Sequence, residues 1–212
     1  MKLFAGMSKA YGKYTASSKT DSGKNIDPSP RTIWGELTPE LWKNHLNGVQ
    51  GLGVIPIRED NSAMFGAVDV DIYNIDHRAL AERIERAKLP LIVCRTKSGG
   101  AHLYCFCQEA VTASSMKTKL AEVASFLGFG GQEIFPKQTK ILVEQKDAGN
   151  WINMPYFNGL IGMRYAVDSR GMGLSPEEFL DYAYDRLAPP DWFTKLLVVA
   201  SDFLTARRVS KL

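Results

Sequence analysis

The apolar positions of this chain come in short bursts separated by polar breaks that glycine and proline mark. Residues 51–57 (GLGVIPI) are an apolar run, residues 58–62 are turn-like, and residues 63–72 (AMFGAVDVDI) favour extended backbone. That spacing predicts two strands pairing with each other. Residues 91–94 and 102–107 read as two more strands, joined by the turn Ser98-Gly99-Gly100. Shorter strands are expected at 133–135 and 140–143.

Helices are marked by their caps. Thr38-Pro39-Glu40 sets an N-cap and a first-position proline, for a helix reaching Leu46 and stopping at Gly48. Asp76 caps a second helix of about 14 residues, with Leu80, Ile84 and Ala87 on its apolar face and Pro90 as its stop. A third is expected over residues 113–126. Ser175-Pro176-Glu177-Glu178 opens a fourth, running to Leu187. Pro189-Pro190 opens a last one carrying Trp192, Phe193, Leu196, Leu197, Phe203 and Leu204. Residues 12–32 are rich in Ser, Thr, Lys and Pro and read as a mobile loop or irregular arm.

Strands and helices mix without strict βαβ alternation, which predicts the α+β class. No repeat or linker divides the chain. Residues 1–212 therefore read as one unit, with an arm over 1–36, a core over 37–165 and C-terminal helices over 174–212.

Composition narrows the partners. With 45% hydrophobic and 23% charged residues, the chain has the balance of a soluble globular protein. A net charge of +3 provides no general basic coat, so nucleic acid binding requires a local patch. No apolar run approaches the roughly 18 residues of a membrane span, and the N-terminus lacks a signal-peptide core. Three cysteines, Cys94, Cys105 and Cys107, argue for reduced thiols and a cytoplasmic location rather than a disulfide framework. Cys105-x-Cys107 shares a strand face but has no partners at zinc-like spacing.

The chemistry concentrates at three places. In Val68-Asp69-Val70-Asp71-Ile72, alternation sends Asp69 and Asp71 to one face and Val68, Val70 and Ile72 to the core. Paired carboxylates repel unless a divalent cation, magnesium or manganese, lies between them. Two ions would align a hydroxyl nucleophile with a departing pyrophosphate. In Arg95-Thr96-Lys97-Ser98-Gly99-Gly100-Ala101-His102, Gly99 and Gly100 let backbone amides converge on an anion. Arg95 and Lys97 add charge there, while Ser98 and His102 add donors. A tight hairpin serving geometry alone is the competing reading of that turn. Glu133 could complete the metal cluster. Asn150 and Asn153 could bond a sugar or base edge, and Trp151 or Tyr156 could stack on a base. His45 and His77 lie on helices and read as packed or solvated side chains.

In their order, these motifs resemble the archaeo-eukaryotic primase superfamily. The hydrophobic-Asp-hydrophobic-Asp strand is Val68-Asp69-Val70-Asp71, the Ser-Gly turn ending in His is Ser98 to His102, and the third acidic position is Glu133. His45-Leu46-x-Gly48, Gly53 to Ile57, Glu133 to Gln138 and Gly149 to Pro155 resemble the primase domains of TOTE conflict systems and of related phage or CRISPR-associated primase-polymerases. The likeness spans residues 41–156. It implies a modified RRM-like sheet, mixed or antiparallel, with flanking helices and a small N-terminal α/β element. It also implies an enzyme, a primase or primase-polymerase that adds ribo- or deoxynucleoside triphosphates on a single-stranded DNA template. Asp69, Asp71 and Glu133 would bind two magnesium or manganese ions, with His102 completing the catalytic set. Lys97, Ser98 and His102 would surround the triphosphate. A helicase or separate template-binding domain is the implied partner, in the cytoplasm of a bacterial or phage-infected cell. Another Asp-x-Asp metal enzyme (a nuclease or glycosyltransferase) and a non-catalytic RRM-like binding module are the alternatives.

Overall fold

Ser62–Val70 forms an interior strand of the functional sheet, and residues 65–68 are all buried because both its faces are covered. The computed structural model describes residues 2–14, 30–195 and 197. In it, β4 (Ser62–Val70) lies between β7 (Glu133–Phe135) and β6 (Ala101–Thr112). Then come β5 (Ile92–Arg95) and β9 (Ala166–Val167), and every neighbour is antiparallel. Val68, Val70, Val93 and Leu103 bury one face against two helices, α2 (His77–Arg86) and α3 (Ala113–Phe126). Burial of each such side chain contributes roughly 1.5–3 kcal/mol. Phe65, Ala67, Ile92, Tyr104 and Phe106 bury the other face.

A second sheet, smaller and mostly N-terminal, covers that other face. Its order is β2 (Arg31–Trp34), β1 (Ala10–Tyr14), β3 (Gly51–Val54) and β8 (Ile152–Asn153). It brings Leu52, Val54 and Ile152 into the shared core, beside Met154 and Phe179. Helix α1 (Pro39–Leu46) adjoins β3. The arm expected over residues 12–32 is therefore partly strand, since Gly12, Lys13, Arg31 and Thr32 pair across β1 and β2. Residues 15–29 lie outside the described residues.

Other expectations are corrected. β3 pairs with β1 and β8, not with β4. Only the isolated bridge Ile57↔Ala63 joins the two apolar runs. All four residues of β3 are buried, the mark of a strand covered on both faces, and Pro56 has no N–H to extend its ladder. Residues 140–143 form no strand; Ile141 N–H instead donates to Asn61 Oδ1 at 2.8 Å and a 3₁₀ turn follows at Val143–Gln145. β4 ends at Val70, so Ile72 is 42% exposed rather than in the core.

The helix starts follow their caps more closely than the helix ends do. Asp76 accepts from Ala79 N–H at 2.9 Å, and Thr112 accepts from Ser115 N–H at 3.1 Å. Ser175 and Glu178 form a reciprocal capping box for α4 (Pro176–Tyr184). Thr38 precedes α1 without a side-chain cap bond. Helix α2 stops at Arg86, well before Pro90, because Lys88 turns left-handed at φ 51°. Helix α4 stops short of Leu187, where Ala188 bridges to Cys107. Where the last helix was expected to open, the described residues form a 3₁₀ turn, Pro190–Phe193, and Leu197 packs on the core; Leu196, Phe203 and Leu204 lie outside the described residues. All three thiols are buried, and burial pushes Cys107 up to about 12. Among the described residues, no helix is long and apolar enough to cross a membrane.

Candidate active site

Asp69 stands directly opposite His102 on β6 and Glu133 on β7, and Cys94 on β5 stands opposite His102. Opposed residues of antiparallel strands share a face. Glu133, Asp69, His102 and Cys94 therefore form one row across four strands. The row lies where the aromatic cover of Phe65, Tyr104 and Phe106 runs out. Beyond it opens a cleft of about 220 Å³, and both Asp69 and Asp71 line it. Asp71 lies just past the strand, its N–H donating to Gln132 Oε1 at 3.0 Å. His102 Nε2 is 3.4 Å from Asp69 Oδ1.

The glycine turn forms a second wall. Thr96 N–H donates to Gly100 O at 2.9 Å and Gly99 N–H to Thr96 O at 3.2 Å, which closes the turn. Gly99 has φ 89°, a conformation that favours glycine. A Cβ on Gly100 would lie 2.5 Å from Val70 O, so only glycine lets the turn pack this closely on the end of β4. His77 Nε2–H, from the start of α2, donates to Gly100 O at 2.9 Å. Lys97 and Ser98 are exposed at the tip and line the cleft. Arg95 lines it as well, with its guanidinium donating to Met163 O at 3.0 Å.

The third wall is Asn153, Met154, Pro155 and Arg164. Asn153 is brought there by β8, in the other sheet. Its Oδ1 is buried and has no hydrogen-bond partner among the described residues. Arg164 lies 5.1 Å from the Tyr14 ring centroid and donates to the Tyr14 hydroxyl. Burial raises the Tyr14 phenol and the Arg164 charge opposes that rise. Arg164 makes no ion pair with a carboxylate among the described residues, so its charge is available to an anionic ligand.

Several residues singled out from the sequence sit elsewhere. Glu133 shares the Asp69 register position, but its carboxylate pairs with Lys137 Nζ at 2.7 Å. Asn150 is bound to Gln138, with its N–H donating to Gln138 Oε1 at 3.0 Å. Trp151 lies on Gly12 and Gly53 and stacks with Tyr14 at 6.3 Å. Tyr156 is buried, and its hydroxyl donates to Leu174 O at 3.0 Å, so it offers no face to a base. Among the described residues, no group of three or more His, Cys, Asp or Glu is placed to hold a metal ion.

Sequence reasoning missed Thr96, Gln132, Tyr104 and Arg164 as parts of the site, and His77 as an anchor of its turn. Thr96 lies within the quoted segment and Tyr104 just past its end, so both were legible by proximity. Gln132 and Arg164 carry no local signal, because pairing over long sequence distances places them.

The family described as the archaeo-eukaryotic primase domain of the TOTE conflict system matches residues 7–160. Among solved structures, the chain is similar to the AEP domain of the cyanophage S-2L primase-polymerase, at 13% identity and a TM-score of 0.40, covering 83% of this chain and 89% of that one. It is also similar to the catalytic domain of primase RepB′ in complex with initiator DNA, at 11% identity and a TM-score of 0.38, covering 84% and 87%. No curated protein sequence matches the chain. The family match takes in the whole cleft except Arg164, and on that extent the chain belongs to the archaeo-eukaryotic primase domain family of the TOTE conflict systems.

Proposed function

We propose that this domain is a template-directed nucleotidyltransferase, a primase or primase-polymerase that adds nucleoside triphosphates on single-stranded DNA. One observation carries the reading: Asp69 and Asp71 line the same cleft as Lys97, Ser98 and His102. Carboxylates beside an anion-binding turn fit a substrate that carries phosphates and brings divalent cations with it.

Magnesium is commonly bound by one or two carboxylates together with substrate phosphates, and Asp69 and Asp71 offer that donor set. Glu133, on the same register position, is the third candidate ligand and would have to leave Lys137 to join Asp69 and Asp71. When bound, two magnesium or manganese ions neutralise charge on the triphosphate and activate the attacking hydroxyl.

The protein's own groups do the rest. Lys97 and the amides of the turn hold the phosphates, with Arg95 flanking them. His102 Nε2 faces the cleft from beside Asp69. Arg164 adds a fixed positive charge on the far wall, and the side chain of Asn153 bonds the sugar or base edge. The hydroxyl of the growing strand gives up its proton to water as its oxygen bonds to the α-phosphorus, the bond to the bridging oxygen breaks, and pyrophosphate leaves. Copying duplex DNA calls for strand separation by a partner helicase or another template-binding domain.

The test is synthesis on single-stranded circular DNA with labelled ribo- or deoxynucleotides, with and without a primer, in magnesium or manganese. Template-dependent incorporation is expected. Cleavage of the circle without incorporation would replace this reading with a nuclease, and binding without either reaction would leave a binding module.

A further inference from the structure

Tyr104 is fully buried, yet its hydroxyl touches one residue from each sheet. It lies 3.1 Å from His102 Nδ1 on β6 and donates to Asn153 O on β8 at 2.7 Å. The two contacts allow one arrangement of hydrogens. A carbonyl oxygen only accepts, so the tyrosine proton belongs to Asn153. The hydroxyl then offers His102 lone pairs alone, and Nδ1 must carry the hydrogen that joins them.

We propose that Tyr104 is a positioning residue. It holds His102 with Nδ1 protonated and so leaves the lone pair of Nε2, the nitrogen beside Asp69, open to the cleft as an acceptor. In a neutral ring one nitrogen donates and the other accepts. Without the hydroxyl, the ring can turn over and exchange them. The tyrosine is itself well fixed. Its ring stacks on Phe106 at 5.9 Å and meets Phe4 edge-on at 5.4 Å, and it stands edge-on to the His102 ring at 5.7 Å. Burial raises its phenol well above the ordinary tyrosine range, so the donor to Asn153 is kept.

The chain has three histidines, and the other two have the opposite arrangement. His45 Nδ1 accepts from Leu52 N–H at 3.0 Å while its Nε2–H donates to Pro155 O at 2.8 Å. His77 Nε2–H donates to Gly100 O at 2.9 Å. The geometry therefore assigns hydrogen on Nδ1 to His102 alone.

Nitrogen-15 NMR of the full chain at alkaline pH, where imidazoles are neutral, reads each tautomer directly. Two Nε2–H rings and one Nδ1–H ring are expected, the latter missing from His102→Gln. In Tyr104→Phe, the His102 signals move to a mixture or to Nε2–H, while those of His45 stay put and report an intact fold. The nucleotide-addition arm rests on the function proposed above. There, Tyr104→Phe should lower kcat about 10- to 100-fold with little change in nucleotide KM, the usual scale for removing a group that orients a functional histidine. Nε2–H at His102 in the unmodified chain, a tautomer unmoved by Tyr104→Phe, or an unchanged kcat would each overturn the proposal. The expected tautomers in a chain that makes no product would instead count against the nucleotidyltransferase reading and leave the tautomer assignment standing.

Discussion

His102 and Asp69 share one register position of β6 and β4, with Nε2 3.4 Å from Oδ1. The carboxylate motif and the glycine turn, well separated in sequence, are thereby one structural unit. A one-residue slip between these strands would turn one of the two residues away from the cleft. The buried valines on the opposite face, Val68 and Val70, hold the register.

The glycine turn depends on its contact with β4. In Gly100→Ala the new methyl would lie 2.5 Å from Val70 O, a backbone atom that cannot swing aside. The turn must lift, with an overpacking cost of about 1–3 kcal/mol. Nucleotide KM should rise about tenfold, equivalent to about 1.4 kcal/mol. Steady-state kinetics together with thermal melting checks this, and an unchanged KM would show that the turn does not hold the nucleotide.

Glu133 and Lys137 form an ion pair that competes with any role of Glu133 as a metal ligand. Lys137→Ala should lower the magnesium concentration giving half-maximal synthesis, and Glu133→Gln should raise it. If Glu133→Gln leaves the magnesium dependence alone, Glu133 is a surface partner of Lys137 and the ligand set is Asp69 and Asp71.

His45 is buried between Leu52 and Pro155, and burial lowers it from 6.5 to about 4. The unfolded chain therefore binds a proton more readily than the folded one in that interval. The resulting stabilisation, about 3 kcal/mol, is complete above pH 6.5 and is lost as the pH falls from 6.5 to about 4. Urea midpoints measured across this window should fall with pH, and His45→Asn should flatten the slope there. A slope unchanged in the variant would assign the dependence to other groups.

Much of this was legible in local sequence. The helix starts at His77 and Pro176 follow from Asp76 and Ser175 just before them, because capping is a local interaction, and the start at Pro39 follows from the fixed φ of its proline. Asp69 was legible because Val68 and Val70 set the alternation around it. What escaped notice depends on distant pairing. β8 is two residues long, too short for any periodicity, yet it carries Asn153 into the cleft. The apolar runs flanking residues 58–62 resemble a hairpin locally, although their partners lie in different sheets. Tyr104 looked like one more strand residue; only the approach of β8 gives its hydroxyl two partners.

The central claim is that the Asp69 and Asp71 carboxylates serve nucleotidyl transfer. The most direct measurement replaces both by amides of the same shape, Asp69→Asn with Asp71→Asn, and follows template-dependent nucleotide incorporation alongside single-stranded DNA binding. Incorporation should fall by at least about 10³-fold, the scale of losing transition-state charge stabilisation, while DNA binding and Tm stay close to those of the unmodified chain. Incorporation that persists in the double variant would contradict the account.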